Sequence, residues 1–415
     1  MSEAPHDRVI VVGTGPAGLV TALALARQGA KATLIGESTP EARGRTVALF
    51  DGSVRFLAEL GVWDGLAAEA APLRRLRIVD DTGNLFRWPE LCFEASEIGL
   101  DAFGWNIGAQ ALSAALRRAA EREAAIRVIE GSASAPSFGD AGPAHHSRSD
   151  IAGVAVGDRR IEAPLIVAAD GRRSLLRRAA GIAARLEPLR QAAVIAILRH
   201  ELPHADGSTE FHKRGGPCTL VPFAAGSPEP ADFPYASSLV WMMEPRAAGR
   251  LERLDDEAFA AAVEAAVHSI LGKMQVASPR GAVPLANLHV ARIVAQRLAL
   301  VGEAAHAFPP IGAQGLNLGL RDAAALARHV GEALRQGRDI GGMDVLDGYD
   351  RDRRPDIATR SAAIGMMNRS LLSPFLPVDL ARGLGMAALD LVGPLRRLAM
   401  REGVEPGFGR RSQGG

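Results

Sequence analysis

The chain has 415 residues, 47% of them hydrophobic, and a formal net charge of +1. That is enough apolar material for a large core shared by two joined domains, and it gives no electrostatic case for nucleic acid. Cys92 and Cys218 are too few and too far apart for a disulfide framework or a metal site, so no metal is expected. Met1 to Arg8 lacks a signal-type apolar core and no stretch approaches ~18 uncharged apolar residues, so the expectation is a cytoplasmic protein that does not span a membrane. Lys31, Lys213 and Lys273 are the only lysines among 48 basic residues, an arginine excess that reads as genome composition rather than a phosphate-binding surface.

The first element is the apolar run Val9-Ile10-Val11-Val12, a buried parallel strand by pattern. Gly13-Thr14-Gly15-Pro16-Ala17-Gly18 follows, and then a helical pattern to Arg27. Strand, glycine turn and helix together are the context in which the backbone approaches a pyrophosphate at a helix N-terminus, so Gly13, Gly15, Ala17 and Gly18 are candidate dinucleotide contacts. Ala32 to Ile35 is a second strand. An acidic residue at its end would accept from an adenosine ribose, but Gly36 holds the usual place; Glu37, one residue later, reads equally as a ribose ligand and as a solvated loop residue.

From Gly131 to Asp150 the chain is a low-complexity loop, in which His145 and His146 read as solvated residues. Leu165 to Ala169 is another buried strand, ending in Asp170-Gly171 with Ser174 and Arg177 at the spacing DGxxSxxR. A turn and helix cap would explain Asp170 and Gly171 singly, but not their recurrence with the first motif. Alternating segments such as Ala192 to Leu198 and Leu239 to Met243 predict an antiparallel sheet, the roof of a substrate pocket.

The strand Leu298 to Val301 then delivers Gly302-Glu303-Ala304-Ala305-His306, and Pro309-Pro310-Ile311-Gly312-Ala313-Gln314-Gly315-Leu316-Asn317-Leu318-Gly319 opens a helix. A carboxylate at the carboxyl end of such a strand suits ribityl hydroxyls, and a helix N-terminus suits the negative charge of a reduced flavin. The three motifs together describe a bound FAD. His306 reads as a structural residue at the strand end rather than a proton carrier. From Arg321 onward the pattern is helical. Between Pro377 and Leu398, Leu380, Leu384, Ala388, Leu391, Leu395 and Leu398 recur at helical spacing.

In order and separation the three motifs resemble those of the single-component FAD-dependent aromatic monooxygenases of the para-hydroxybenzoate hydroxylase fold. Within that group the chain is most similar to the ubiquinone-biosynthesis hydroxylases, in Ala304-Ala305-His306 and Gln314 to Asp322. The resemblance runs from Val9 to about Leu398. It departs where the family carries Asp in place of Glu303, and where Gly312-Ala313 reverses the common order.

The resemblance implies an α/β fold. A Rossmann-like FAD-binding domain (1–72 with 104–183 and 286–330) interleaves with an antiparallel-sheet substrate domain (73–103 with 184–285), followed by a helical C-terminal region (331–415). It also implies that Arg45 lies near the flavin and its phosphates and that Gln110 touches the cofactor; the plain alternatives are a surface arginine and a helix-start residue. Pro309 and Pro310 are the candidates for the flavin face, with the backbone of Gly315, Leu316 and Asn317 holding the pyrimidine carbonyl. The implied activity is hydroxylation of a phenolic ring, of polyprenylated ubiquinone-precursor type, with O2 and electrons from NAD(P)H. The donor would bind transiently, because no second GxGxxG occurs.

Residues 377–398 read either as a face that packs on the core or as the border of a prenyl-tail tunnel touching a lipid carrier or the inner face of the membrane. Two alternative functions stand beside the monooxygenase: a flavin-dependent reductase or dehydrogenase of the same fold, and a non-redox prenyl-binding carrier.

Overall fold

A computed structural model describes residues 8–37, 44–83, 89–139, 151–226, 230–372 and 391–404. His145, His146, Leu380, Leu384 and Ala388 lie outside the described residues.

The floor of the molecule is a six-stranded sheet in the order Val294–Ala295, Leu298–Leu300, Leu165–Ala168, Arg8–Val12, Lys31–Gly36 and Ile126–Glu130, every pair parallel except the first. Val9, Ile10 and Val11 are all buried, so both faces of the central strand are covered, which is why its sequence is apolar without alternation. The helices Pro16–Arg27 and Gln314–Arg335 pack against each other beside the sheet. Across it lies a three-stranded antiparallel meander of Ala133–Ser137, Ala152–Val156 and Arg159–Ala163, which contacts the central strands.

The second sheet has eight strands. Its longest, Ala184–His200, pairs antiparallel with Tyr235–Met243, Gly281–Val290 and Met274–Val276, and the register with Gly281–Val290 shifts between Pro188 and Ala192. Ala192–Leu198 and Leu239–Met243 sit in the antiparallel ladder that the sequence predicts. One pair departs from that expectation: Gly207–Lys213 runs parallel to Arg75–Asp81, because the latter arrives from an earlier part of the chain rather than through a hairpin.

The two faces of this sheet have different neighbours. Val194, Leu198, Phe211 and Leu220 pack with Phe259 and Val263 of the helix Asp256–Ala266. On the other face Ala193 and Met242 pack with Ile311 and Ile364, joined by Val240 and Phe308. The inner face of the roof therefore meets the loop that follows Glu303.

Towards its carboxyl end the chain forms the helices Gln314–Arg335, Met343–Leu372 and, among the described residues, Gly393–Val404. In the described part of the tail, Leu391, Leu395 and Leu398 are 82%, 42% and 57% exposed, so these three residues of the stripe do not pack on the core. The last helix is held by other residues. Met400 and Val404 pack with Leu91 and Phe93, and Arg396 pairs with Glu97 at 2.6 Å. A helical stripe gives the spacing of an apolar face but not which face docks.

His200 gives the roof a pH dependence. It is fully buried, with Nδ1 2.8 Å from the carbonyl oxygen of Leu202 and Nε2 3.0 Å from Ser237 Oγ. Burial, helped by the neighbouring His204, pushes its pKa down to about 4. An unfolded histidine titrates near pH 6.5, so between these values the unfolded chain binds the proton and the native chain does not. Stability is complete above pH ~6.5 and falls as the pH drops towards 4. Denaturant titrations at pH 7 and pH 4 should show the wild type losing about 3 kcal/mol more than His200→Gln over that interval. Equal losses in the two proteins would remove His200 as the cause.

Candidate active site

The three motifs meet at the carboxyl ends of the parallel strands, the place where open α/β sheets bind ligands. Backbone hydrogen bonds lock their loops together. The Gly13 N–H donates to Ile35 O (2.7 Å), the Ala169 N–H to Val12 O (2.7 Å) and the Val301 N–H to Ala168 O (3.0 Å).

The glycines divide into two kinds. Gly13 has φ +119°, and a Cβ there would lie 2.2 Å from Ala169 O; one on Gly18 would lie 1.9 Å from Gly13 O. Protein backbone forces these two to be glycine. Gly302 has φ +58° and packs on Ala17, and a Cβ on Gly319 would come 3.2 Å from the Gly302 Cα. Ala17 thus joins the first motif to the third. A Cβ on Gly15, Gly171, Gly312 or Gly315, by contrast, would meet nothing within 4 Å. These four face open space at the same end of the sheet, as a bound group requires.

Two helices begin there without help from side chains. Pro16–Arg27 starts at Gly15 and Gln314–Arg335 at Ala313, whose φ of 52° follows the kink at Gly312; neither has a side-chain cap or an acidic residue in its first turn. Each therefore presents first-turn N–H groups and the positive end of its dipole to an anion.

Asp170 stands between them. One carboxylate oxygen accepts the N–H groups of Leu175 (2.8 Å) and Leu176 (3.3 Å), while the other, Oδ1, is buried with no protein partner. A buried carboxylate oxygen left without a donor is costly, and a hydroxyl or ordered water of a bound cofactor would satisfy it. Ser174 caps the short helix Leu175–Ala179 through the Arg177 N–H. The Arg177 side chain is buried and donates to Ala304 O at 2.8 Å and to Arg172 O at 2.7 Å. DGxxSxxR is thereby a brace that fixes the second motif to the third.

Glu303 projects from the 3-10 turn Gly302–Ala304; its side chain is 60% exposed and forms an ion pair with Arg172 at 3.3 Å. Glu37 receives a hydrogen bond from Ser132 at 2.6 Å, and its carbonyl accepts from Thr14 at 2.7 Å. Arg45 and Gln110 are exposed, Gln110 in the first turn of Ala109–Arg122, and Arg45 O accepts the Ala109 N–H at 2.9 Å. The strand after Arg45 is therefore tied to the start of that helix. Pro309 is buried and Pro310 exposed.

Asn317 is wholly buried. Its side chain accepts from the Phe50 N–H (2.8 Å) and donates to Ala48 O (2.8 Å) and Ala313 O (2.7 Å), pinning the strand Thr46–Phe50 to the head of the helix.

The centre that sequence reading missed is Asp322. It is 0% exposed, and one oxygen accepts the Gly302 N–H (3.0 Å) and lies 2.6 Å from His306 Nε2, while the other accepts from Arg353 Nε (2.8 Å). Burial opposes its charge, but His306 and Arg353 outweigh that and hold the carboxyl below its usual range. A signal was present: Leu318, Asp322 and Leu326 stand at i, i+4 and i+8, a carboxylate in the middle of an apolar stripe.

The site fits FAD in its open glycines, its uncapped helix ends and the unsatisfied oxygen of Asp170. The sequence profile of the FAD-binding domain family matches residues 7–361. The chain belongs to that family. It is an FAD-dependent monooxygenase of the para-hydroxybenzoate hydroxylase fold. The flavoprotein is 33% identical over 407 residues to the ubiquinone hydroxylase UbiL of Rhodospirillum rubrum, covering 95% of this chain and 89% of the relative. It is 28% identical to 3-demethoxyubiquinol 3-hydroxylase of Escherichia coli, covering 97% and 99%. The fold is also that of Klebsiella pneumoniae HpxO complexed with FAD and uric acid, with a TM-score of 0.70, 18% identity and 97% of each chain covered.

Two glycine variants separate folding from cofactor binding. Gly15→Val should purify folded but with little FAD, because its side chain enters open space, whereas Gly13→Ala should lose thermal stability through its clash with Ala169 O. Full FAD occupancy in Gly15→Val would misplace the dinucleotide turn. The ribityl contact expected of Glu303 makes a third test. Glu303→Ala should weaken FAD binding by about 1.5 to 3 kcal/mol and Glu303→Asp should keep most of it. Equal dissociation constants for wild type and Glu303→Ala would remove the residue from the site.

Proposed function

We propose that this flavoprotein hydroxylates the phenolic ring of a polyprenylated ubiquinone precursor, taking electrons from NADH or NADPH and an oxygen atom from O2. The observation that carries the reading is the convergence of the open glycines, Asp170 and Glu303 beneath the apolar inner face of the roof sheet. The named relatives, one of them matched over 95% of this chain, support the substrate class. When bound, FAD supplies the redox chemistry and the activation of oxygen. The chain supplies binding, orientation and exclusion of water.

In this reading residues 1–72, 104–183 and 286–330 form the FAD-binding unit, residues 73–103 and 184–285 the substrate unit, and residues 331–415 the helical closure. Gly15 leaves room for the pyrophosphate on a turn that Gly13, Ala17 and Gly18 pack tightly against protein, with Glu37 at the ribose and Arg45 and Gln110 alongside the phosphates and ring. Asp170, Gly302 and Glu303 hold the linking chain. Pro309, Pro310, Gly315, Leu316 and Asn317 border the ring, where the helix dipole favours negative charge. Above it, Val240, Met242, Ile311 and Phe308 give the substrate an apolar, water-poor surround.

Among the described residues no helix is long and apolar enough to cross a membrane. The exposed Leu391, Leu395 and Leu398 are assigned to reception of the prenyl tail from a lipid surface or carrier.

Purified holoprotein given NADH or NADPH and a prenylated phenol should consume O2 and form hydroxylated product in equal amounts. Reduction of the substrate without oxygen uptake would establish a reductase instead. Leu391→Ser/Leu395→Ser/Leu398→Ser should lower turnover of a long-tailed phenol about tenfold more than that of a short analogue, the factor given by ~1.4 kcal/mol of lost apolar contact. Equal effects on both substrates would end the tail assignment.

A further inference from the structure

A cavity of about 320 Å³ lies between the parallel sheet and the meander, away from the carboxyl ends where the three motifs meet. Its floor comes from the sheet. Arg8 pairs in register with Lys31, Ile10 with Thr33, Thr33 with Arg127 and Ile35 with Ile129, so these side chains share one face, with Arg8 at the amino end of its strand. The opposite wall is the hairpin of Ala152–Val156 and Arg159–Ala163, whose Val156, Arg159 and Ile161 share one face while Arg160 and Glu162 alternate to the other, and all five line the cavity.

Arg8, Arg127 and the adjacent pair Arg159 and Arg160 therefore line one cavity from three different segments, and Glu162, 3.5 Å from Arg160, is the carboxylate among the lining residues. Arg160 is further held by Ala135 O at 3.1 Å. The side chains of Arg8, Arg127 and Arg159 have no hydrogen bond or ion pair among the described residues. At the site of the three motifs, by contrast, Arg353 is matched to Asp322 and Asp356, and Arg321 to Asp356. All four arginines are exposed, so solvent screens their mutual repulsion, and what the cluster offers is a set of guanidiniums beside one cavity that an anion can bridge. Guanidinium groups match the paired oxygens of a phosphate, and Ile10, Ile129, Val156 and Ile161 give the cavity an apolar back.

We propose that this cavity is a second ligand site, for a phosphate ester carrying an apolar body. The arginine rim takes the phosphate oxygens, the isoleucines take the body, and the Thr33 hydroxyl supplies a polar contact between them. Its place across the sheet from the glycine turn makes it separate from the flavin and substrate sites, so its ligand neither displaces FAD nor enters the oxidation. The same chemistry is available from a soluble phosphomonoester and from the headgroup of an anionic phospholipid.

The test uses the full-length holoprotein. Binding of phenyl phosphate is measured by calorimetry, and co-sedimentation is measured with phosphatidylcholine vesicles with and without phosphatidylglycerol. Arg127→Gln/Arg159→Gln is the paired variant, with FAD content and melting temperature recorded to confirm that it folds. Saturable phenyl phosphate binding, weakened at least about tenfold in the variant while FAD content holds, supports the site with a soluble ligand. Co-sedimentation that needs phosphatidylglycerol and is lost in the variant supports it with a lipid headgroup. Absence of both, binding that the variant leaves unchanged, or inorganic phosphate binding as tightly as phenyl phosphate would overturn the proposal.

Discussion

The buried carboxylate of Asp322 is the interaction on which the arrangement of the site depends. Through the Gly302 N–H it fixes the turn that projects Glu303; through His306 it fixes the loop beyond; through Arg353 it fixes the long helix Met343–Leu372. Arg353 also bonds Asp356 at 2.8 Å, and Asp356 bonds Arg321 at 2.9 Å, so the charges continue as an alternating chain. Removing one member of such a buried pair typically costs roughly 3–5 kcal/mol, because its partner is left charged and dry. A hydrophobic core could hold the same helices together. It could not hold a backbone N–H in a turn at φ +58°, and that turn sets the direction in which the third motif presents its carboxylate.

With the turn fixed, close packing does the rest. Ala17, Gly302 and Gly319 bring two helix starts near one another, and a larger side chain at any of the three would push them apart. Both starts lack caps and acidic first-turn residues, so their partial positive charges add at one place. The carboxylates nearby do not cancel that field evenly, since Asp170 spends one oxygen on the Leu175 and Leu176 N–H groups and Glu303 is paired with Arg172. The result is a region rich in backbone donors with two anchored acceptors, suited to a group that carries both phosphates and hydroxyls.

The parallel strands and the glycine turns were legible in the sequence because their causes are local: an apolar run buried on both faces, and a Cβ that has no room. Asp170, Gly302 and Glu303 stood out for the related reason that strand ends in such sheets face the ligand. What could not be read was anything set by two distant segments. Arg177 bonding Ala304 O, Arg172 meeting Glu303, and Asn317 pinning Phe50 all join residues more than a hundred positions apart, or, for Asn317, 267. The tail failed differently. Among its described residues Leu395 and Leu398 fall on a helix, but docking went to Met400, Val404 and Arg396, whose partners on Leu91–Glu94 and at Glu97 lie about three hundred residues upstream.

The arginine excess shows the same limit from the other side. Counted along the chain it carries no information, and no single arginine of Arg8, Arg127, Arg159 and Arg160 belongs to a motif. Register turns them into a pattern, because parallel pairing places Arg8 and Arg127 on one face of the sheet and the hairpin pairing of Val156 with Arg159 sets Arg159 opposite, with Arg160 beside it on the alternate face. The two regions then meet anions by different means. At the carboxyl ends, backbone N–H groups and helix dipoles do so with glycine supplying the room; at the cavity beneath the meander, side-chain guanidiniums do so with isoleucine behind them. Backbone recognition leaves a sequence signature because it demands glycine. Side-chain recognition from separate strands leaves none until the fold assembles it.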